Sequence, residues 1–141
     1  MKKELGWLLF ISILIGACSG KFILDENKAI EHYTIGFGSC GKQTKEQPIL
    51  NVVVDNSPDV FIYLGDNIYG DTRDMAELQQ KYDQLAAKPE FQRLKNTTPI
   101  LATWDDHDFG ENDAGRYYPF KEASKEIFLN FWEEPKDSER W

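Results

Sequence analysis

The chain has 141 residues, enough for one small domain. Hydrophobic residues make up 41% and aromatics 13%, which excludes a disordered segment and allows a buried core. A formal net charge of -8 argues against a nucleic-acid-binding surface, where each phosphate contact wants a Lys or Arg, and leaves clustered carboxylates available for cations.

In chain order, Lys2 and Lys3 precede a short apolar run, Leu5 to Ile15. That run is shorter than the roughly 20 residues a bilayer span needs, so it reads as a secretory signal. It closes on Ile15-Gly16-Ala17-Cys18, which resembles a bacterial lipobox. That resemblance implies lipidation and membrane attachment at Cys18, with Ser19 favouring the outer membrane and periplasm. Residues 1–18 are thus expected to be a lipoprotein signal peptide, 19–32 a polar tether and 33–141 the folded part.

Tyr33 to Gly38 alternates with β-branched and aromatic residues and predicts a strand, broken by Gly-Ser-Cys-Gly. Gln47 to Asn56 has helical spacing (Ile49, Leu50, Val52, Val53), with Pro48 at its first turn. Asp59 to Leu64 is a continuous apolar run, as for a strand buried on both faces. Gly65 to Arg73 reads as a polar loop. Asp74 to Ala87 predicts a helix capped by Asp74 and ended by Pro89, with a short helical turn over Glu90 to Lys95. Pro99 to Thr103 reads as a third strand, Trp104 to Pro119 as a long loop, and Lys121 to Glu133 as a last helix. The β-α-β-α-β-α order predicts an α/β fold with a largely parallel sheet. Ligands gather at the carboxyl ends of such strands, and the three unusual loops begin there.

Those loops hold the residues that can carry chemistry. Asp66 follows Gly65, whose backbone freedom allows a sharp turn. Tyr69 lies three residues on, and a carboxylate with a phenolate suits a divalent or trivalent transition metal. The plainer alternative is a turn-capping Asp66 and a surface Tyr69. Asp105, Asp106, His107 and Asp108 are consecutive, so at most two or three can serve one point. His107 beside carboxylates suits contact with a phosphoryl oxygen or protonation of a leaving group; a turn of Asp residues with a surface His is the alternative. Cys40 offers a soft thiolate for iron or zinc, or is a structural turn residue. It does not look like half of a disulfide with Cys18. As a nucleophile it lacks a base nearby in sequence, although a cysteine hydrolase using His107 is conceivable.

Three motifs in order, Phe37-Gly-Ser-Cys40, Leu64-Gly-Asp-Asn-Ile-Tyr-Gly-Asp71 and Thr103-Trp-Asp-Asp-His-Asp108 with Asn112-Asp113 behind, resemble alkaline phosphatase D. This is the PhoD-like branch of the calcineurin-like metallophosphoesterases. The resemblance covers about Tyr33 to Pro135. It implies that Cys40, Asp66 and Tyr69 are metal ligands, with Asp66 bridging two metals. Asp106 stands where the wider superfamily's Gly-Asn-His-Glu motif has its metal-binding Asn, and His107 where it has its His. It further implies iron with calcium (other divalent metals possible) and two-metal hydrolysis of a small-molecule or lipid phosphoester. The family fold is a four-layer α/β/β/α sandwich about twice this length, with further histidine ligands in its C-terminal half. The chain is therefore expected to be the N-terminal half of that sandwich, as a fragment or a truncated reading frame. The alternative function is a non-catalytic calcium-binding surface lipoprotein, using oxygen ligands alone.

Overall fold

A computed structural model describes residues 32–141. The expected signal segment, Cys18 and all of the tether except His32 lie outside the described residues. Among the described residues, no helix is long and apolar enough to cross a membrane.

The elements are β1 (Ile35–Gly38), α1 (Ile49–Asp55), β2 (Val60–Leu64), α2 (Met75–Ala86), α3 (Pro89–Thr97), β3 (Ile100–Thr103), α4 (Asp106–Phe109) and α5 (Lys121–Phe131). The three strands form one parallel sheet in the order β1-β2-β3. Phe37 lies beside Ile62, and Ile62 beside Leu101. The mixed α/β fold with a parallel sheet is therefore as expected. Asp74 caps α2, accepting the N–H groups of Ala76 and Glu77. Pro89 does more than end that helix. It occupies the first turn of α3, where its missing N–H costs nothing, and α3 runs well past the single turn expected. The expected loop after β3 contains the one-turn helix α4.

Alternation along the strands divides the sheet into two faces. Phe61, Tyr63, Ile100 and Ala102 face a core shared with Leu78, Tyr82, Leu85, Phe91, Leu94, Phe128 and Leu129. The opposite face carries Ile35, Phe37, Leu64 and Leu101, which are 50%, 68%, 45% and 59% exposed. The reading of β2 as buried on both faces is thus corrected. Its core-facing residues are buried, while Leu64 is open to solvent, because the described helices cover one face only. The helix expected over Gln47 to Asn56 is α1, where Leu50 is buried and Ile49 and Val52 are exposed.

One buried carboxylate joins three elements. Asp108 is 1% exposed. Its Oδ1 accepts the N–H groups of Asn67 (2.9 Å) and Ile68 (3.2 Å) and the Tyr82 hydroxyl (3.3 Å). Its Oδ2 accepts the N–H of Asp105 (3.1 Å), closing a reciprocal cap with Asp105 on α4. The loop after β2, the loop after β3 and α2 are tied together at this point. Burial raises the Asp108 carboxyl from 3.8 to about 6, against the N–H groups of Asp105, Asn67 and Ile68, which favour the charged form.

Two outcomes follow for Asp108. Asp108→Ala strands three buried N–H donors at about 1–3 kcal/mol each, so chemical denaturation should show a loss of at least about 3 kcal/mol, with Asp108→Asn costing less. A folded-state pKa above the unfolded one means stability present below about pH 4 and lost as pH rises through about 6. A carboxyl-carbon NMR titration should place the Asp108 midpoint near 6 rather than near 4.

Candidate metal centre

The candidate ligands leave the carboxyl ends of three neighbouring strands: Cys40 after β1, Asp66 and Tyr69 after β2, Asp106 and His107 after β3. The first two loops are laced by backbone hydrogen bonds, from Cys40 N to Gly65 O (3.3 Å) and from Gly41 N to Asp66 O (2.8 Å). The second and third meet through Asp108 and through Gly70 N to His107 O (3.0 Å). Gly65 has φ 103°, and a Cβ there would come within 2.7 Å of the Asp105 Cβ. Only glycine allows β2 and β3 to end so close together.

This framework brings the five residues into one cluster. Single ligand atoms of Asp66, Asp106 and His107 all lie within 4.8 Å of one another. The Cys40 Sγ is 3.6 Å from Asp66 Oδ2. The Tyr69 ring stacks obliquely on the His107 ring, with centroids 4.4 Å apart. Asp105 stays outside, since its Oδ1 accepts the Asp106 N–H (2.9 Å) and caps α4. The Cys40 thiol bonds to the Ser39 hydroxyl and Asp66 rather than to the imidazole, so the pairing a cysteine hydrolase needs is not made.

Supporting residues become visible only in three dimensions. Gln43 is buried, and its amide clamps Tyr69 at both ends: Nε2 donates to Tyr69 O (3.1 Å) and Oε1 accepts Tyr69 N–H (2.9 Å). Asp71 Oδ1 lies 2.6 Å from His107 Nδ1. That contact selects the tautomer protonated at Nδ1 and leaves Nε2 for the cluster. Asp113 donates its N–H to Asp106 Oδ2. The signal for Asp71 lay in plain view as the second acid of the Gly65–Asp71 loop; for Gln43 the sequence carries none.

Strain and electrostatics concentrate here. Cys40, Asp66 and Asp71 have φ of 59°, 50° and 44°, a region that non-glycine residues rarely occupy. Each such residue costs on the order of 1–3 kcal/mol and persists where its surroundings over-determine it. Burial pushes the Asp66 carboxyl upward; His107 and the Cys40 thiol counter this, while Asp106 and Asp105 add to it. Burial also raises the Tyr69 phenol, with further contributions from Cys40 and Asp66. The Asp113 N–H lowers the Asp106 carboxyl. For His107, burial pulls downward, but Asp71, Asp66 and Asp106 together outweigh it and raise the pKa.

These features fit a metal ion. Asp66 Oδ1 is buried with no hydrogen-bond partner, an arrangement that is costly for a carboxylate unless a cation lies against it. A thiolate, a phenolate and two carboxylates are a donor set suited to iron or zinc, with the His107 imidazole beside them.

No family model, no curated protein and no solved structure matches the chain.

The Asp71–His107 contact is open to direct test. Without added metal, His107 should titrate above the ordinary 6.5, and Asp71→Asn should bring it down. Imidazole proton NMR across pH 5–9 reads both. A raised His pKa also means stability that is present below pH 6.5 and lost as pH rises through the folded value.

Proposed function

We propose that this chain carries the N-terminal half of a PhoD-like, metal-dependent phosphoric ester hydrolase, exported and lipid-anchored at Cys18. The observation that carries the reading is the convergence of Asp66, Asp106 and His107 at the carboxyl ends of parallel strands, with Cys40 and Tyr69 against them. The resemblance of the three motifs to alkaline phosphatase D supports the same reaction class.

Cys40, Asp66, Tyr69 and Asp106 would hold the metal, iron being favoured by the thiolate and phenolate and calcium by the carboxylates. Bound there, metal ions lower the pKa of water and neutralise charge developing on phosphoryl oxygens. The remaining roles belong to side chains. His107, oriented by Asp71 and with its pKa raised by the carboxylates around it, donates through Nε2 to a phosphoryl or leaving-group oxygen. Asp108 and Gln43 hold the loops in register from behind. The uncovered sheet face, with Ile35, Phe37, Leu64 and Leu101 in solvent, is consistent with a second sheet layer and so with the four-layer sandwich. The substrate is a small-molecule or lipid phosphoester.

Hydrolysis of bis(p-nitrophenyl) phosphate and p-nitrophenyl phosphate by the whole gene product, with bound metals quantified, tests the reading. We expect metal-dependent turnover that falls at least about 100-fold in Asp66→Asn, the loss expected when a metal ligand and its charge stabilisation are removed together. Bound calcium without turnover of either ester would instead support the calcium-binding lipoprotein.

A further inference from the structure

Beside the metal centre lies a cavity of about 510 Å³, bounded by the 38–48 loop, α1 and the edge strand β1. It is within the range of small-molecule sites, roughly 300–1,000 Å³. Cys40 belongs to both places: it lines the cavity and its thiol meets Asp66. Ile49, Leu50, Val53 and Phe61 supply apolar walls. Ile49 is 64% exposed, so this apolar surface stands open to a ligand. Lys42 and Lys45 line it as well, against one carboxylate, Glu46. Lys42 is directed towards the metal centre, its Nζ lying 5.4 Å from the Tyr69 ring centroid. In a chain of net charge -8, a cavity with two cations and one anion is a local inversion of sign.

We propose that this cavity binds the apolar substituent of an organophosphate ester whose phosphoryl group sits at the metal centre. The inference rests on the hydrolase reading of that centre and narrows its substrate class to esters with an alkyl, acyl or aryl group. Three features favour this occupant. The apolar walls reward removal of hydrocarbon from water in proportion to buried area. The lysines complement an anionic head group and not a neutral hydrocarbon. Cys40 lines the cavity and sets its thiol against Asp66, so the cavity adjoins the one group of three or more candidate metal ligands among the described residues.

The test separates binding from turnover. The whole gene product, loaded with diamagnetic Zn²⁺, is titrated with hexyl phosphate and with methyl phosphate by calorimetry and by NMR. Hexyl phosphate should bind about tenfold tighter or more, because five additional methylenes leave water. Its titration should move the Leu50 and Val53 methyl resonances. Ile49→Ser, at an exposed position whose replacement leaves the core intact, should narrow the ratio of the two affinities by several-fold. Equal affinities, a ratio unchanged in Ile49→Ser, or shifts confined to other surfaces would each overturn the proposal. That last pattern, with protection of Ile49 already present before ligand is added, would indicate that a protein segment covers the cavity. Turnover of bis(p-nitrophenyl) phosphate is measured on the same protein loaded with iron and calcium. If it is absent while hexyl phosphate still fills the cavity, the hydrolase reading falls and the organophosphate site stands.

Discussion

The carboxylate of Asp108 accepts hydrogen bonds from Asn67, Ile68 and Asp105 and from the Tyr82 hydroxyl, in a place that water does not reach. Nearly everything at the candidate metal centre depends on it. The loop after β2 carries Asp66 and Tyr69, the loop after β3 carries Asp106 and His107, and neither loop contains enough regular structure to fix its own shape. Asp108 supplies the shared acceptor that makes the two loops one object, and Tyr82 anchors that object to α2 and the core. A buried carboxyl with several donors is a high-stakes arrangement, stable when every partner is present and costly when one is lost. Placing such a group one residue from His107 converts core stability into precision at the site.

The same economy explains where strain resides. Cys40, Asp66 and Asp71 all adopt left-handed backbone, and all three face the cluster. Left-handed geometry turns the chain sharply at the end of a strand and lets consecutive loops present side chains to a common point. Its cost is met by the lacing of Cys40 and Gly41 to Gly65 and Asp66, and by the close approach of Gly65 to Asp105. Negative charge adds a second tension. Asp66 lies near Asp106 and Asp105, and its Oδ1 is buried without a donor. A cation relieves that tension more completely than a proton would, since it satisfies several oxygens at once.

Much of this was legible in the sequence, for definite reasons. Strand and helix periodicity placed β1, β2, β3, α1, α2 and α5 to within a few residues, and the Asp74 cap is a local interaction that a local reading can find. The four candidate ligands and His107 follow from loops at strand ends, and the structure brings those five residues together. What escaped depends on distant partners. Asp108 looked like one more of the three acids in Asp105–Asp108, because nothing local distinguishes a carboxylate that turns inward to Asn67 from one that turns to a ligand. Gln43 carries no signal until Tyr69 stands beside it. α4 is a single turn held by the reciprocal cap of Asp105 and Asp108, too short for periodicity to register. The open sheet face could not be inferred from β2, whose apolar run reads the same whether its second face is covered or not.

The central proposal is that Cys40, Asp66, Tyr69 and Asp106 jointly hold a metal ion beside His107. Titration with cobalt(II), followed by absorption spectroscopy, tests it most directly, since a thiolate ligand gives a charge-transfer band that oxygen and nitrogen ligands do not. The account predicts saturable binding with that band present in the wild type. The band should vanish in Cys40→Ser, and the affinity should fall sharply in Asp66→Asn. Saturable binding without the band, or a titration indifferent to Asp66→Asn, would contradict it.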